Sequence, residues 1–383
     1  MSLVPPRVLE CRGTPREMGE AQGRDLKDSI LRSVEICLDS EDLNPRRGSL
    51  LDARRLLACA GHLIDAGSYL RRDRTLRAWR DRVCGIADSA EIDRSLLFGL
   101  QAMEAFLVSP VEVAQCTTIG VTAERSAEQG PLMMKNYDAI ELFRSTTILR
   151  RSAPARGLRT FEMALDVLAG SHLIVNEAGL VLSYNYGVAN ALPRPGIPPT
   201  FLVQQAAETC RDTPSAVDLL SRHPTTNGCL VTVLDAESDL CVVEKLGGRT
   251  AVRAAEHGVT ATTNHFLTRE LERHNFSETS TLSGLAPRAA HGLKVQAPNE
   301  ERLRRARELI LGPESAPRVS RQDLVAIAQD HDGKAQGDEN TICRHHPYNI
   351  TLASAILVPA EQRALVCLGS PCQETFHTLP FWA

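Results

Sequence analysis

The sequence predicts an α+β fold in which antiparallel sheets are layered and helices cover their outer faces. Three observations predict it. Residues 12 to 110 carry helical caps and periodicity, the texture changes to β-branched runs from Gln115 onward, and those runs form two antiparallel series separated by helical segments. By length alone 383 residues suggest two or three domains, although a large sandwich can form one unit.

Taken in order, Thr14-Pro15-Arg16-Glu17 opens the first helix, with Thr14 as N-cap, Pro15 at the first helical position and Glu17 completing a capping box. Met18, Ala21, Leu26 and Ile30 turn toward a core, while Gly19 and Gly23, four apart, leave a face smooth for close packing. The polar stretch Ser40 to Ser49, with Pro45, ends this unit. Leu50 to Tyr69, Thr75 to Ala90 and Asp93 to Leu107 read as further helices, the last capped by Asp93. Six arginines lie within Arg71 to Arg82. Interleaved with Asp73 and Asp81, they read as a solvated helix face, with an anion-binding patch as the second reading.

Strands follow. Thr117 to Thr122, with Cys116 at its head, and the apolar run ending at Asn136-Tyr137-Asp138 form a hairpin around the turn Ala123 to Gly130. Thr146 to Arg151, Thr160 to Leu165, His172 to Asn176 and Leu180 to Tyr186 continue the first series. Helical Phe201 to Cys210 and Pro214 to Ser221 intervene. A second series runs through Cys229 to Leu234, Leu240 to Glu244, Arg249 to Arg253 and Val259 to Thr263. Helices at Asn299 to Leu311 and Arg321 to Gln329, then strands at Thr351 to Val358 and Ala364 to Leu368, close the chain.

Composition narrows the function. With 43% hydrophobic and 23% charged residues the chain can bury a sizeable core. A net charge of -4 argues against a broadly basic nucleic-acid surface. No apolar run approaches the roughly 18 residues of a membrane span, and no secretory h-region is visible near Met1. Eleven cysteines without such a signal fit free thiols in a reduced cytoplasm. GxxxxGK[ST], GxGxxG, GxSxG and HExxH are all absent. The Cys and His residues form no paired CxxC set, and His345-His346 is a doublet on opposite faces of an extended segment, so no metal and no cofactor is expected.

The hairpin carries the chemistry. It places a thiol near one end and a carboxylate at the other, and strands lie about 5 Å apart, so Asp138 returns close to Cys116. A thiol with an unperturbed pKa of about 8.5 needs a base, and the hairpin contains no His. One base needs no other side chain: the cysteine's own α-amine, with a reference pKa of roughly 7.7–8.0. It exists only if the Gln115–Cys116 bond is cut. Taken as residues alone, Cys116 also reads as a buried structural cysteine, and Asp138 with Arg344 as a structural ion pair.

Six segments carry a resemblance: Met18-Gly19, Gln22-Gly23, Cys116-Thr117-Thr118, Asn136-Tyr137-Asp138, Thr263-Asn264-His265 and Ile342-Cys343-Arg344. In order, over nearly the whole chain, they resemble the acyl-coenzyme A:6-aminopenicillanate acyltransferase family, N-terminal-nucleophile hydrolase relatives that include penicillin V acylase and bile salt hydrolase. The resemblance implies a four-layer αββα sandwich with a helical N-terminal segment. It also implies a precursor that cuts itself between Gln115 and Cys116, so that 1–115 becomes a small subunit and 116–383 a large one. Cys116 then matches the nucleophile, Asp138 the carboxylate that orients its N-terminus, Asn264 the oxyanion donor and Arg344 the arginine paired with that carboxylate. Lys135 and Tyr137 match substrate-side positions. Two departures stand out: Gln115 replaces the Gly that precedes the nucleophile in the penicillin enzyme, and Tyr137 replaces its Trp.

The expected activity is therefore that of a self-processing amidohydrolase that cleaves a small N-acyl amide through an acyl-enzyme on Cys116. Acyl transfer from a thioester or amide to an amine is the alternative, and an unprocessed, non-catalytic acyl-ligand binder is a third reading. With aromatic residues at 4% and no phosphate loop for coenzyme A, hydrolysis is favoured over transfer. His265, 149 residues after Cys116 (265 − 116), offers a papain-like base, but no CG[SA]C[WY] surrounds the cysteine. The expected partner is a small-molecule amide or acyl donor, with neither nucleic acid nor membrane, and a homo-oligomer of processed heterodimers is compatible with the resemblance.

Overall fold

The chain enters through a strand that the sequence reading did not foresee. β1 (Val8–Gly13) is short, and its pairing is distant: it lies parallel to β4 (Thr147–Pro154), with Cys11 opposite Ser152. The computed structural model describes residues 5–41, 43–44, 47–49, 52–66, 74–108, 114–194, 196–282, 284, 286, 288–311, 318–346 and 348–382. After β1, the expected capping box forms at Thr14 and Glu17 and opens α1 (Pro15–Asp25). The expected continuous helix breaks at Leu26, and α2 (Lys27–Asp39) follows. α3 (Ala53–Ala66) and α4 (Arg74–Ala90) come next, then α5 (Arg94–Leu100), where the Asp93 side chain accepts from Leu96 N at 3.0 Å. Of the helix expected over Leu50 to Tyr69, residues 50–51 and 67–69 lie outside the described residues. The two glycines of α1 do what their spacing implies. A Cβ on Gly19 would lie 2.1 Å from Arg82 O, and one on Gly23 would lie 2.5 Å from Ile86 O, so the α1 and α4 backbones touch.

The remaining elements are β2 (Ala114–Val121), β3 (Leu132–Ala139), β5 (Thr160–Leu165), β6 (Leu173–Asn176), β7 (Val181–Gly187), α6 (Pro199–Thr209), α7 (Thr213–Arg222), β8 (Gly228–Leu234), β9 (Leu240–Leu246), β10 (Arg249–Ala254), β11 (Val259–Thr262), α8 (Ala297–Ile310), α9 (Arg321–Ala328), β12 (Ile350–Val358), β13 (Arg363–Leu368) and β14 (His377–Pro380). They build an eight-stranded sheet, β1-β4-β5-β6-β7-β8-β9-β10, and a six-stranded sheet, β11-β2-β3-β12-β13-β14. The sheets face one another: Thr118 Oγ1 of β2 lies 2.8 Å from Ser183 Oγ of β7, and a Cβ on Gly120 would lie 2.8 Å from Leu240 Cδ1 of β9. α6 and α7 cover the outer face of the larger sheet, and α8 and α9 cover that of the smaller. This is a four-layer αββα sandwich. Ile119, Val121, Leu132 and Met134 pack outward against Leu303, Ala306, Leu324 and Ile327, whereas Cys116, Met133 and Tyr137 belong to the core that spans the two sheets. Alternation along β2 and β3 assigns these two sides.

Buried polar bonds fix the helical N-terminal part to the sheets. Gln22 Nε2 donates to Asp166 O and Leu168 O at 2.7 and 3.0 Å, and Arg150 Nη1 donates to Gln22 Oε1 at 2.6 Å. Arg82 is the exception to the solvated face read for the arginine run, of which Arg77 is exposed. Arg82 is buried and donates to Glu208 Oε1 at 3.1 Å and to Ser152 Oγ at 2.9 Å. Arg71 and Arg72 lie outside the described residues. Among the described residues, no helix is long and apolar enough to cross a membrane.

Candidate active site

The hairpin of β2 and β3 sets the site through its register. Gln115 stands opposite Asp138, Cys116 opposite Tyr137, Thr117 opposite Asn136 and Thr118 opposite Lys135. Opposed residues in an antiparallel pair share a face. Cys116, Thr118, Lys135 and Tyr137 therefore look toward the larger sheet, while Gln115, Thr117, Asn136 and Asp138 look toward α8 and α9. The carboxylate does return to the cysteine, as expected, but it lies beside Gln115, the residue that precedes Cys116, rather than beside the thiol.

On the helix side, a residue that the sequence reading missed organises the site. Arg302 of α8 is fully buried. Its Nη1 donates to Cys116 O at 2.7 Å and Thr117 Oγ1 at 2.9 Å. Its Nη2 donates to Gln115 Oε1 at 2.9 Å, Asn264 Oδ1 at 3.1 Å and Asn299 Oδ1 at 2.9 Å. The same guanidinium lies 3.6 Å from Asp138. Arg344, placed against Asp138 by the sequence reading, donates instead to Gln115 Oε1 at 2.5 Å, although its charge also acts on the carboxylate. Asp138 Oδ1 accepts from the Thr351 hydroxyl at 2.8 Å. Burial pushes the Asp138 carboxyl up, and Arg302, Arg344 and the Thr351 hydroxyl oppose that shift. Burial and the neighbouring Arg344 push Arg302 down to about 9, which leaves it protonated at neutral pH.

Asn264 sits just past the end of β11. Its Oδ1 accepts from Cys116 N at 2.9 Å and its Nδ2 donates to Tyr186 O at 2.8 Å. Two donors on one oxygen fix which way the amide points. The sequence reading singled out this amide as an oxyanion donor, and the structure puts its oxygen on the backbone nitrogen of Cys116.

On the sheet-facing side, burial raises the Cys116 thiol, and the adjacent Lys135 ammonium pulls it back down. Lys135 is itself fully buried and donates to Tyr184 O at 2.5 Å and Asn185 Oδ1 at 3.1 Å. Tyr137 meets His172 in a tilted ring contact with centroids 4.9 Å apart. Glu104, from the turn that ends the N-terminal helices, accepts from Tyr184 Oη at 2.5 Å and lies 3.3 Å from His172 Nε2. Neither Glu104 nor His172 was singled out from sequence. His265, the alternative base, pairs its Nδ1 with Thr263 Oγ1 at 3.2 Å. Burial, followed by Arg302, lowers it to about 4, and no bond joins it to Cys116 among the described residues. A groove of about 630 Å³ is lined by His265 with Glu300, Leu303 and Arg304 of α8, on the opposite side of the sheet from the thiol. Cys116 itself is 2% exposed.

A curated relative, the acyl-coenzyme A:6-aminopenicillanic-acid-acyltransferase 40 kDa form of Emericella nidulans, is 23% identical over 204 residues, covering 52% of this chain and 53% of that protein. The chain thus spans about half the length of that relative. Among solved structures, a Caenorhabditis elegans N-acylethanolamine-hydrolyzing acid amidase ortholog aligns with a TM-score of 0.42 at 14% identity, covering 69% of this chain and 100% of that one. Penicillin V acylase from Agrobacterium tumefaciens aligns with a TM-score of 0.41 at 13% identity, covering 66% and 83%. The family model described as acyl-coenzyme A:6-aminopenicillanic acid acyl-transferase matches residues 125–373, a span that takes in Asp138, Asn264, Arg302 and Arg344, and the chain belongs to that family.

Proposed function

We propose that the protein is a self-processing cysteine-nucleophile amidohydrolase that cleaves a small N-acyl amide through an acyl-enzyme on Cys116. One observation carries the reading. The nitrogen of Cys116 is already held by Asn264 Oδ1, while Arg302 grips the carbonyl of Cys116 and, with Arg344, the Gln115 side chain before it. A buried peptide held at both ends by an amide and two guanidiniums, with a carboxylate alongside, is what a preorganised scission site requires. Attack of Sγ on the Gln115 carbonyl carbon shifts the acyl group from N to S, and water then hydrolyses the thioester. This frees residues 1–115 as one subunit, 116–383 as the other, and the Cys116 α-amine as a base.

In turnover that amine takes the thiol proton and passes it to the leaving amine, and water hydrolyses the acyl-enzyme. Asn264 Oδ1 and Asp138 keep the amine in place. The second N–H of Asn264 Nδ2, beside the one given to Tyr186 O, serves the oxyanion. Lys135 favours the thiolate, and Tyr137 closes the acyl side. The family description favours a second outcome, in which an amine rather than water accepts the acyl group.

Intact-mass measurement of the purified chain tests the first step. Two fragments that divide at Gln115–Cys116 are expected, and Cys116→Ala should yield one full-length chain. An uncut wild type that turns over an N-acyl amide would refute the α-amine mechanism. Supplying an accepted amide with a panel of free amines then separates hydrolysis from transfer: free acid supports hydrolysis, and predominant new amide at millimolar amine reverses it.

A further inference from the structure

Some 230 residues after the nucleophile, the fold gathers four metal-ligating side chains that the sequence scatters. His331 follows α9, Cys343 and His345 flank Arg344, and Cys372 stands on the turn after β13. Their ligand atoms all lie within 4.8 Å of one another. His345 Nε2 is 3.4 Å from Cys343 Sγ and 3.1 Å from Cys372 Sγ, and the His331 and His345 rings meet edge to face at 5.1 Å. His331 Nε2 is buried and has no hydrogen-bond partner among the described residues, an orphan that points into the cluster's chemistry.

The geometry points to a structural zinc site formed by Cys343, Cys372, His331 and His345. Zn–S bonds of about 2.3 Å and Zn–N bonds of about 2.0 Å place tetrahedral ligand atoms roughly 3.3–3.8 Å apart, so the observed spacings need only small side-chain adjustments. Two sulfurs with two imidazole nitrogens suit zinc. Most iron–sulfur clusters take four thiolates, the Rieske type that takes two thiolates and two imidazoles spreads them over two irons rather than the single centre these atoms surround, and calcium or magnesium takes oxygen. Binding releases one proton from each thiol, and the resulting pair of thiolates neutralises the dication. Hydrogen bonds support the arrangement from three directions: Cys343 N donates to Asp330 O at 3.0 Å, the Gln329 side chain donates through Nε2 to Pro371 O at 2.8 Å, and Gln373 N donates to Ser370 O at 2.9 Å. An ion here would pin the end of α9, the Thr341–His346 segment and the β13 turn to one another. The sequence reading, which expected no metal, gave no sign of this cluster, because spacings of 12, 2 and 27 residues match no finger pattern and only the fold closes them.

The test uses the full chain, purified under reducing conditions and analysed for metal. One zinc ion per chain is expected, and Co²⁺ in its place should give thiolate-to-cobalt charge transfer and the intense visible bands of tetrahedral cobalt. Cys372 is exposed, so Cys372→Ser should leave the circular dichroism unchanged while weakening zinc binding by more than the 10–100-fold that loss of an outer-shell partner costs. Cys59→Ser, at an exposed cysteine of α3, should leave it intact. In the wild type, zinc should protect Cys372 from alkylation. The site is refuted if reduced protein takes up no zinc at micromolar free ion, if Cys372→Ser binds as the wild type does, or if the native protein is two hydrogens lighter with Cys343 joined to Cys372.

Discussion

Asn264 is the residue on which the proposed chemistry turns, because a single amide receives the nucleophile's N–H and the Arg302 guanidinium on one oxygen. Asn264→Ala should lower kcat by about two to three orders of magnitude, the cost of removing one preorganised donor. It should also slow self-cleavage, since the same side chain positions Cys116 N. Steady-state kinetics on protein matched for its processed fraction separates the two effects, and near-normal kcat would remove Asn264 from the mechanism. Cys116, Asp138, Asn264 and Arg344 could be singled out from sequence because each lies in a short motif, and the fold gathers these motifs around Gln115 and Cys116. Arg302 was not singled out, because its neighbours Arg304, Arg305 and Arg307 make α8 look like a charged surface helix. A signal was nevertheless present: Asn299, Arg302, Ala306 and Ile310 form one inward stripe at helical spacing, all buried, and an arginine on an apolar stripe needs a partner inside. Glu104 and His172 gave no such signal, since their meeting depends on the packing of the N-terminal helices against the larger sheet.

At the scale of elements, the loop after β5 carries a pH-dependent contact between α2 and the sheet. Asp166 is buried, accepts from the Ser33 hydroxyl at 2.7 Å and pairs with Ser29. Burial, outweighing the two hydroxyls, raises it to about 6. The folded value lies above the unfolded value of about 3.9, so folding favours the neutral acid. Its stabilising contribution is full below pH about 4 and is lost as pH rises through 6, a difference on the order of 2–3 kcal/mol. Asp166→Asn should remove that component. The stability difference between variant and wild type, read from urea denaturation, should move in the variant's favour between pH 4 and 7. Parallel profiles would show that the carboxyl does not titrate as described. Glu162, held down to about 2 by Arg150 despite its burial, acts in the opposite sense: its stabilising contribution is present above about pH 4.3 and fades toward 2. Interior strands and most amphipathic helices fell within a few residues of their expected limits, but the helix expected over Asp93 to Leu107 ends at Leu100, where a turn leads to a short π-helical segment over Glu104–Val108. β1 was missed because it is brief and its partner β4 is remote in sequence, and β14 because it is only four residues long.

For the whole molecule, the proposed cut falls between parts that remain bound by many buried contacts. The Gln22, Arg82 and Gln101 side chains all bond across it, Gln101 Nε2 reaching Val167 O at 2.8 Å. After processing, the two fragments should therefore elute together in native gel filtration at the mass of the intact chain and separate only in denaturant. Fragments that part in buffer would mean that the N-terminal segment is a removable propeptide rather than a subunit.

The parallel pairing of β1 with β4 gives that cut a further effect. In an uncut chain β1 finds β4 by closing a loop, a first-order event with a modest entropic cost. In a cut chain the strand, and the helices behind it, must find their partner by diffusion. Recovery from heating would then depend on how concentrated the protein is, slowing as the solution is diluted. Maturation would give the protein a memory of having been whole: a dilute sample melted after cleavage would not return on the timescale that served the precursor.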